Sequence, residues 1–102
     1  MITAFESVPQ RAADAVRLAG RIGRILSASP GVVRVTLLQR LHRPDQLEIV
    51  SGWESEDAYE RARNSPALVA ARHDMEELLA SPIDDRLHHT LPEAVPRASD
   101  DL

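Results

Sequence analysis

The sequence predicts an α+β fold of the ferredoxin-like kind, βαββαβ, in which helices cover one face of a four-stranded antiparallel sheet. Three observations predict it: apolar residues alternate in the strand segments, they recur every three or four residues in the helical segments, and one tight turn separates the two middle strands. At 102 residues the chain has the length of one domain. We expect this domain to span residues 1–91 and residues 92–102 to form a flexible tail.

The first segments of the chain predict a strand followed by a helix. Residues 2–8 alternate loosely, carry β-branched side chains and end at Pro9, which is typical of a short strand. Residues 11–27 have the period of an amphipathic helix, which Ser29-Pro30-Gly31 ends. The predicted apolar stripe of this helix consists of Ala12, Val16, Ala19, Ile22 and Leu26.

A hairpin is predicted next. Residues 33–41 and 47–53 alternate between apolar and polar side chains, which is typical of half-buried strands. We place the turn between them at residues 43–46, because Pro44 presets the backbone angle that a type I turn requires. Trp53 then shares one face of the second strand with Leu47.

The second half of the chain predicts two helical segments and a last strand. Ser55 and Ser65 are suitable N-cap residues, and Pro66 is favoured at a first helical position. The buried stripe of the second segment is predicted to be Leu68, Ala71, Met75, Leu78 and Leu79. Residues 84–91 close the sheet, with Leu87, His89 and Leu91 on one face of the strand.

Composition excludes several function classes. The formal net charge of −4 lacks the basicity that nucleic-acid binders show, so no nucleic-acid partner is expected. Without cysteine, the chain has no disulfide, thiolate metal ligand or cysteine nucleophile, and no spacing of its histidines resembles a metal cage. We find neither a signal-peptide pattern nor a membrane-length apolar run. We therefore expect a cytoplasmic protein that has no membrane partner.

Three side chains form the candidate site. Trp53 ends a strand, Tyr59 lies one turn into the next helix, and Arg72 flanks the apolar stripe of the following segment. A guanidinium beside apolar side chains must either extend to water or meet an anionic or polar partner, because a lone buried charge is costly. The site is thus either an anion-binding cleft or an ordinary set of core and rim residues.

The segment Trp53-Glu54-Ser55-Glu56-Asp57-Ala58-Tyr59, the entry Ser29-Pro30-Gly31-Val32-Val33 and the restart Ser65-Pro66 resemble the antibiotic biosynthesis monooxygenase family over roughly residues 2–91. The resemblance implies a homodimer, a dimeric α/β barrel, and for some members oxygenation of aromatic polyketide phenols by molecular oxygen without flavin, metal or haem. It also implies catalytic roles for Trp53, Tyr59 and Arg72.

One position departs from the family pattern. The resemblance implies an asparagine four residues before the tryptophan, where this chain has Ile49. We expect Ile49 and Phe5 to contribute to substrate binding. The haem-degrading branch is a poorer match, because the positions of its tryptophan and histidine fall at Ala62 and Ala71.

These features predict an enzyme, a cofactor-independent monooxygenase that oxidises an aromatic polyketide or quinol-type substrate with molecular oxygen. In this hypothesis Arg72 stabilises a developing oxyanion, Tyr59 transfers a proton and Trp53 stacks on the substrate. Two alternatives stay open. One is a non-catalytic dimeric binding or accessory protein, which Ile49 favours, and the other is a polyketide cyclase or isomerase.

Overall fold

A computed structural model describes residues 1–88 and has the predicted order of elements. Its strands are β1 Ile2–Glu6, β2 Val32–Arg40, β3 Arg43–Trp53 and β4 Asp84–Arg86. Its α-helices are α1 Ala12–Ser27, α2 Glu56–Arg63 and α3 Pro66–Glu76, and a 3₁₀ turn, Pro9–Arg11, precedes α1.

The strands form one antiparallel sheet in the order β2-β3-β1-β4. This order places β1 between β3 and β4 and confirms the predicted ferredoxin-like fold. The register pairs Thr3 of β1 with Ile49 on one side and with Asp85 on the other. Residues from three distant parts of the sequence therefore meet at the centre of the sheet.

The hydrophobic core lies between the helices and one face of the sheet. Its buried side chains are Phe5, Leu47 and Ile49 from the sheet, Ala15, Ala19, Ile22 and Leu26 from α1, and Leu68, Ala71 and Met75 from α3. The predicted stripe of the second helical segment is confirmed for Leu68, Ala71 and Met75, but α3 ends at Glu76, so the buried Leu78 and the partly buried Leu79 follow the helix. Burial of these apolar surfaces is the main favourable contribution to folding.

The predicted stripe of the first helix is wrong at one position. Val16 is exposed, and Ala15 is buried in its place. The helix lies close to the sheet further along this stripe, where a Cβ atom added at Gly23 would lie 3.1 Å from a methyl group of Leu37. This approach fits small residues on the buried side of the helix, so Val16 lies at its flank.

The predicted position of the hairpin turn is also wrong. The turn is formed by Leu41 and His42 and not by residues 43–46. His42 has a φ of 67°, which lies in the left-handed region. Pro44 falls instead where the register shifts from Gln39↔Leu47 to Arg40↔Arg43. A proline is tolerated at such an irregularity because no ladder hydrogen bond requires its missing N–H group.

The last strand begins at Asp84 as predicted and pairs with β1 over three residues. Leu87 and His88 follow it outside any strand. The predicted continuation through His89 and Leu91, and the predicted tail at residues 92–102, lie outside the described residues. Within the part of the chain that the structure describes, none of the helices combines the length and apolar composition that crossing a bilayer would require.

Candidate active site

Trp53 and Tyr59 form an aromatic pair where β3 leads into α2. Ser55 caps α2 as predicted, because its Oγ accepts a hydrogen bond of 3.1 Å from the N–H group of Ala58. The cap fixes the start of the helix and so places Tyr59 beside the end of the strand. The ring centroids lie 5.7 Å apart with an interplanar angle of 68°, an edge-to-face arrangement that aromatic pairs favour.

The polar groups of the two aromatic side chains differ in whether they have a hydrogen-bond partner. The indole N–H group of Trp53 donates to Oγ of Ser51 over 2.8 Å, which holds the ring over the helix-facing side of the sheet. The Tyr59 side chain is buried, and within residues 1–88 its hydroxyl makes no hydrogen bond. The phenol hydroxyl therefore has no hydrogen-bond partner among these residues, whereas the indole N–H group has one.

Arg72 forms an ion pair with Asp85. Ser65 caps α3, as predicted, by accepting from the N–H group of Leu68, and Arg72 follows in the second turn of the helix. Its two Nη groups donate to the two carboxylate oxygens of Asp85 over 3.1 and 2.6 Å, a fork-shaped contact. The side chains are only 18 % and 15 % exposed. Arg72 thus meets an anionic partner within the chain and does not extend freely to water.

Asp85 connects the ion pair to the sheet. Its Oδ1 atom also accepts a hydrogen bond of 2.9 Å from the hydroxyl of Thr3. Burial alone would raise the pKa of Asp85, but the hydrogen bonds from Arg72 and Thr3 hold that pKa below its ordinary value. Asp85 is therefore ionised at neutral pH.

Tyr59 experiences the electric field of this ion pair. Burial raises the pKa of Tyr59, the carboxylate of Asp85 raises it further, and the guanidinium groups of Arg63 and Arg72 oppose the rise. Because the net pKa lies above the ordinary value, the phenol is protonated at neutral pH. In this state Tyr59 can donate a proton or a hydrogen bond.

An open hollow of about 540 Å³ adjoins the ion pair. Arg63, Arg72 and Asp85 line it together with Glu76 and residues 79–83. Trp53 and Tyr59 do not belong to this lining. Of the predicted catalytic residues, the structure thus places Trp53 and Tyr59 in ring contact, and it couples Arg72 to Tyr59 through charge.

The two residues predicted to bind substrate are more deeply buried than Arg72. Ile49 is almost fully buried and Phe5 is buried, and both belong to the packed core. Phe5 also borders a smaller open hollow, of about 240 Å³, near Asp84. Their contact with a substrate stays a prediction.

Sequence patterns did not indicate Thr3, Arg63 and Asp85 as residues of the site. A signal for two of them was present, because the predicted topology makes the first and last strands neighbours and so brings Thr3 near Asp85. Asp85 also shares its strand parity with Leu87, which the alternation predicts on one face of the last strand. Within residues 1–88, no three histidine, aspartate or glutamate side chains are grouped so that they could hold a metal ion.

Comparisons with known proteins point to one family. A family model described as antibiotic biosynthesis monooxygenase matches residues 1–74. The solved structure of Rv0793 from Mycobacterium tuberculosis is 25% identical in sequence, with 92% of this chain and 95% of that chain covered and a TM-score of 0.79. A search of curated proteins found no match.

Two further solved structures have the same fold. SnoaB from Streptomyces nogalater, described as a cofactor-independent oxygenase, is 24% identical, with 90% of this chain and 94% of that chain covered and a TM-score of 0.73. PA3566 from Pseudomonas aeruginosa is 21% identical, with 87% and 91% covered and a TM-score of 0.73. At these identities the likeness shows the fold alone.

Proposed function

The chain belongs to the antibiotic biosynthesis monooxygenase family, and we propose that it is a cofactor-independent monooxygenase that oxidises an aromatic polyketide or quinol-type substrate with molecular oxygen. The observation that carries the proposal is the aromatic pair of Trp53 and Tyr59 beside the Arg72–Asp85 ion pair. The pair offers contact area to an aromatic ring, and the ion pair offers charge in a partly dry site. The reaction would take place in the cytoplasm.

The proposed reaction needs no electron donor besides the substrate. Loss of a proton from an activated ring carbon, such as the methylene of an anthrone, gives a carbanion stabilised as an enolate. This carbanion gives two electrons to oxygen, so that a carbon–oxygen bond forms and a peroxide results. Loss of the second C–H proton with cleavage of the O–O bond then releases water. One oxygen atom stays in the new carbonyl group, and the other leaves in water.

The residues of the candidate site would have different roles in this reaction, according to their charge and protonation state. Two Nη–H groups of Arg72 are used on Asp85, so three of its five N–H groups remain for an enolate or peroxide oxygen. Tyr59, being protonated, would donate to the developing oxygen anion. Trp53 would stack on the substrate, and the buried Phe5 and Ile49 would form the apolar wall behind it.

Oxygen uptake with anthrone tests this proposal. The wild-type protein should consume oxygen in equimolar amount to the quinone formed. Arg72→Gln should lower the rate by roughly a hundredfold, the usual effect of removing one donor to a developing oxyanion. The matched control is Arg21→Gln, which removes an exposed guanidinium paired with Asp74 over 3.0 Å and should leave the rate unchanged. Wild-type uptake by Arg72→Gln would remove Arg72 from the mechanism.

A second candidate function is a non-catalytic binding or accessory protein. Ile49 favours it, because a buried aliphatic side chain offers no hydrogen bond where the family pattern has an asparagine. Binding of anthrone without turnover in air would support this function. Product formation that continues without oxygen would instead indicate the cyclase or isomerase reaction.

We also propose that two copies of the chain associate. The support is apolar exposure on the edge strand β2, where Val33 is 66% exposed, and on the hairpin turn, where Leu41 is 80% exposed. Edge strands with exposed apolar side chains are ready surfaces for pairing or packing with another chain. A second copy would cover them.

A further inference from the structure

Arg63 has an unusual position among the charged residues near the candidate site. It is the last residue of α2, its side chain is 45% exposed, and it faces the 540 Å³ hollow. The nearest carboxylate oxygen, Oδ2 of Asp85, is 3.8 Å from its Nη2 atom, which is too far for a hydrogen bond. Among residues 1–88, no side chain or carbonyl group accepts a hydrogen bond from Arg63.

Asp85 accepts no hydrogen bond from the guanidinium of Arg63. Its oxygens already accept three hydrogen bonds, two from Arg72 and one from Thr3. The other acid at the hollow, Glu76, is paired only with His73, at 4.0 Å, within the described part of the chain. Arg63 is therefore a cation whose N–H groups are available to an incoming anion.

The hollow combines this cation with apolar walls. Leu79, Ala80, Pro82 and Ile83 belong to its lining, together with the cations Arg63 and Arg72 and the polar residues Glu76, Ser81 and Asp85. The hollow is open to solvent and more polar than apolar, so charge would contribute more than enclosure to the choice of ligand. A ligand with an apolar ring and an acidic substituent would match the apolar and the cationic residues of this lining.

We propose that Arg63 binds a carboxylate on the aromatic substrate, so that this chain acts on aromatic acids in preference to their neutral analogues. The inference rests on the proposed function, since it names the class of substrate, and the hollow adjoins the proposed site through Arg72 and Asp85. Arg63 is a specificity-determining residue in this proposal, while the chemistry stays with Arg72 and Tyr59. Arg72 is held by Asp85, whereas Arg63 can turn toward the ligand.

Binding without oxygen tests the inference separately from turnover. Isothermal titration calorimetry under argon measures the binding of anthrone and of an anthrone carboxylate to the hollow, which Trp53 does not line. The wild type should bind the carboxylate more tightly than anthrone. Arg63→Gln should weaken carboxylate binding about fivefold and leave anthrone binding unchanged, because a half-exposed ion pair is weaker than a buried one. Arg63→Lys should retain part of the preference.

The matched control is Arg61→Gln, which removes an exposed arginine from the same last turn of α2. It should bind both probes as the wild type does. Equal affinity of the wild type for both probes, or equal weakening of both by Arg63→Gln, would overturn the carboxylate subsite. Oxygen uptake with no such discrimination would overturn the subsite and leave the proposed function standing. Discrimination without oxygen uptake would support the subsite and contradict the oxygenase reaction.

Discussion

Tyr59 is the residue in which the candidate site can be measured directly. It is the only tyrosine of the chain, and its ring contacts the only tryptophan. Its pKa is raised by burial first and by the carboxylate of Asp85 second, against the opposing guanidinium groups. Because the chain has no other tyrosine, an alkaline titration of tyrosine absorbance reports the pKa of Tyr59 alone.

Asp85→Asn should lower the pKa of Tyr59 relative to the wild type, because it removes the negative charge that opposes ionisation of the phenol. Absorbance of the tyrosinate during an alkaline titration measures this pKa. In the wild type the folded pKa lies above the unfolded one, so the folded state binds more protons between the two values. Its stability should therefore fall as pH rises through that range.

The control for this titration is Asp84→Asn. Asp84 is the neighbouring acid, half exposed and paired with Arg86 over 2.9 Å, and its removal should leave the pKa of Tyr59 unchanged. Circular dichroism at each pH verifies that both variants remain folded. A pKa of Tyr59 that is the same in Asp85→Asn as in the wild type would contradict the proposed coupling.

The residues of the site differ in how far the sequence could reveal them. Trp53 and Tyr59 could be placed together because only five residues, one of them the N-cap Ser55, separate them, and local periodicity fixes both. The pairing of Arg72 with Asp85 depends on β4 lying beside β1, which is a property of the sheet and not of either segment. Long-range ion pairs of this kind are fixed by topology and side-chain direction, which local patterns do not contain.

At the scale of elements, turn chemistry was the weakest part of the sequence interpretation. Pro44 suggested a turn, but the chain turns at Leu41 and His42, and Pro44 lies in an irregular part of β3. A proline is compatible with both places, so its presence alone does not decide between them. Helix starts were predicted correctly because Ser55 and Ser65 each form a local side-chain hydrogen bond.

The loop that precedes β2 contacts α2, and this contact should be sensitive to a substitution at one glycine of the loop. Gly31 has a φ of 84°, and a Cβ atom added there would lie 2.5 Å from the Cβ of Ala58, next to Tyr59. Gly31→Ala should lower the free energy of unfolding by about 2–4 kcal/mol, because it adds both backbone strain and a clash. Urea denaturation measures this change.

The matched control is Gly20→Ala, at a position where an added Cβ atom has enough space. At Gly20, inside α1, the nearest atom to an added Cβ is Nη1 of Arg24 at 3.6 Å. Gly20→Ala should be neutral or stabilising by up to about 1 kcal/mol, the difference in helix propensity between the two residues. If Gly31→Ala unfolds at the same urea concentration as Gly20→Ala, the close contact with α2 is not rigid.

At the scale of the whole molecule, the elements of residues 1–88 cover the sheet on one side only. The helices bury Phe5, Leu47 and Ile49, whereas the register places Leu38, Glu48 and Val50 on the opposite face. Leu38 is exposed on that face. A half-covered sheet with an apolar edge strand is the feature of this chain that a second copy would complete.

Leu38→Glu should therefore shift the chain from dimer to monomer, because a carboxylate would have to be buried opposite Glu48 at the proposed interface. Sedimentation velocity over a range of concentrations measures the two states. Val69→Glu is the control, since Val69 is equally apolar and exposed but lies on α3, away from the open sheet face. A wild-type chain that sediments as a monomer throughout, or a Leu38→Glu variant that remains a dimer, would show that the open face is not where two copies meet.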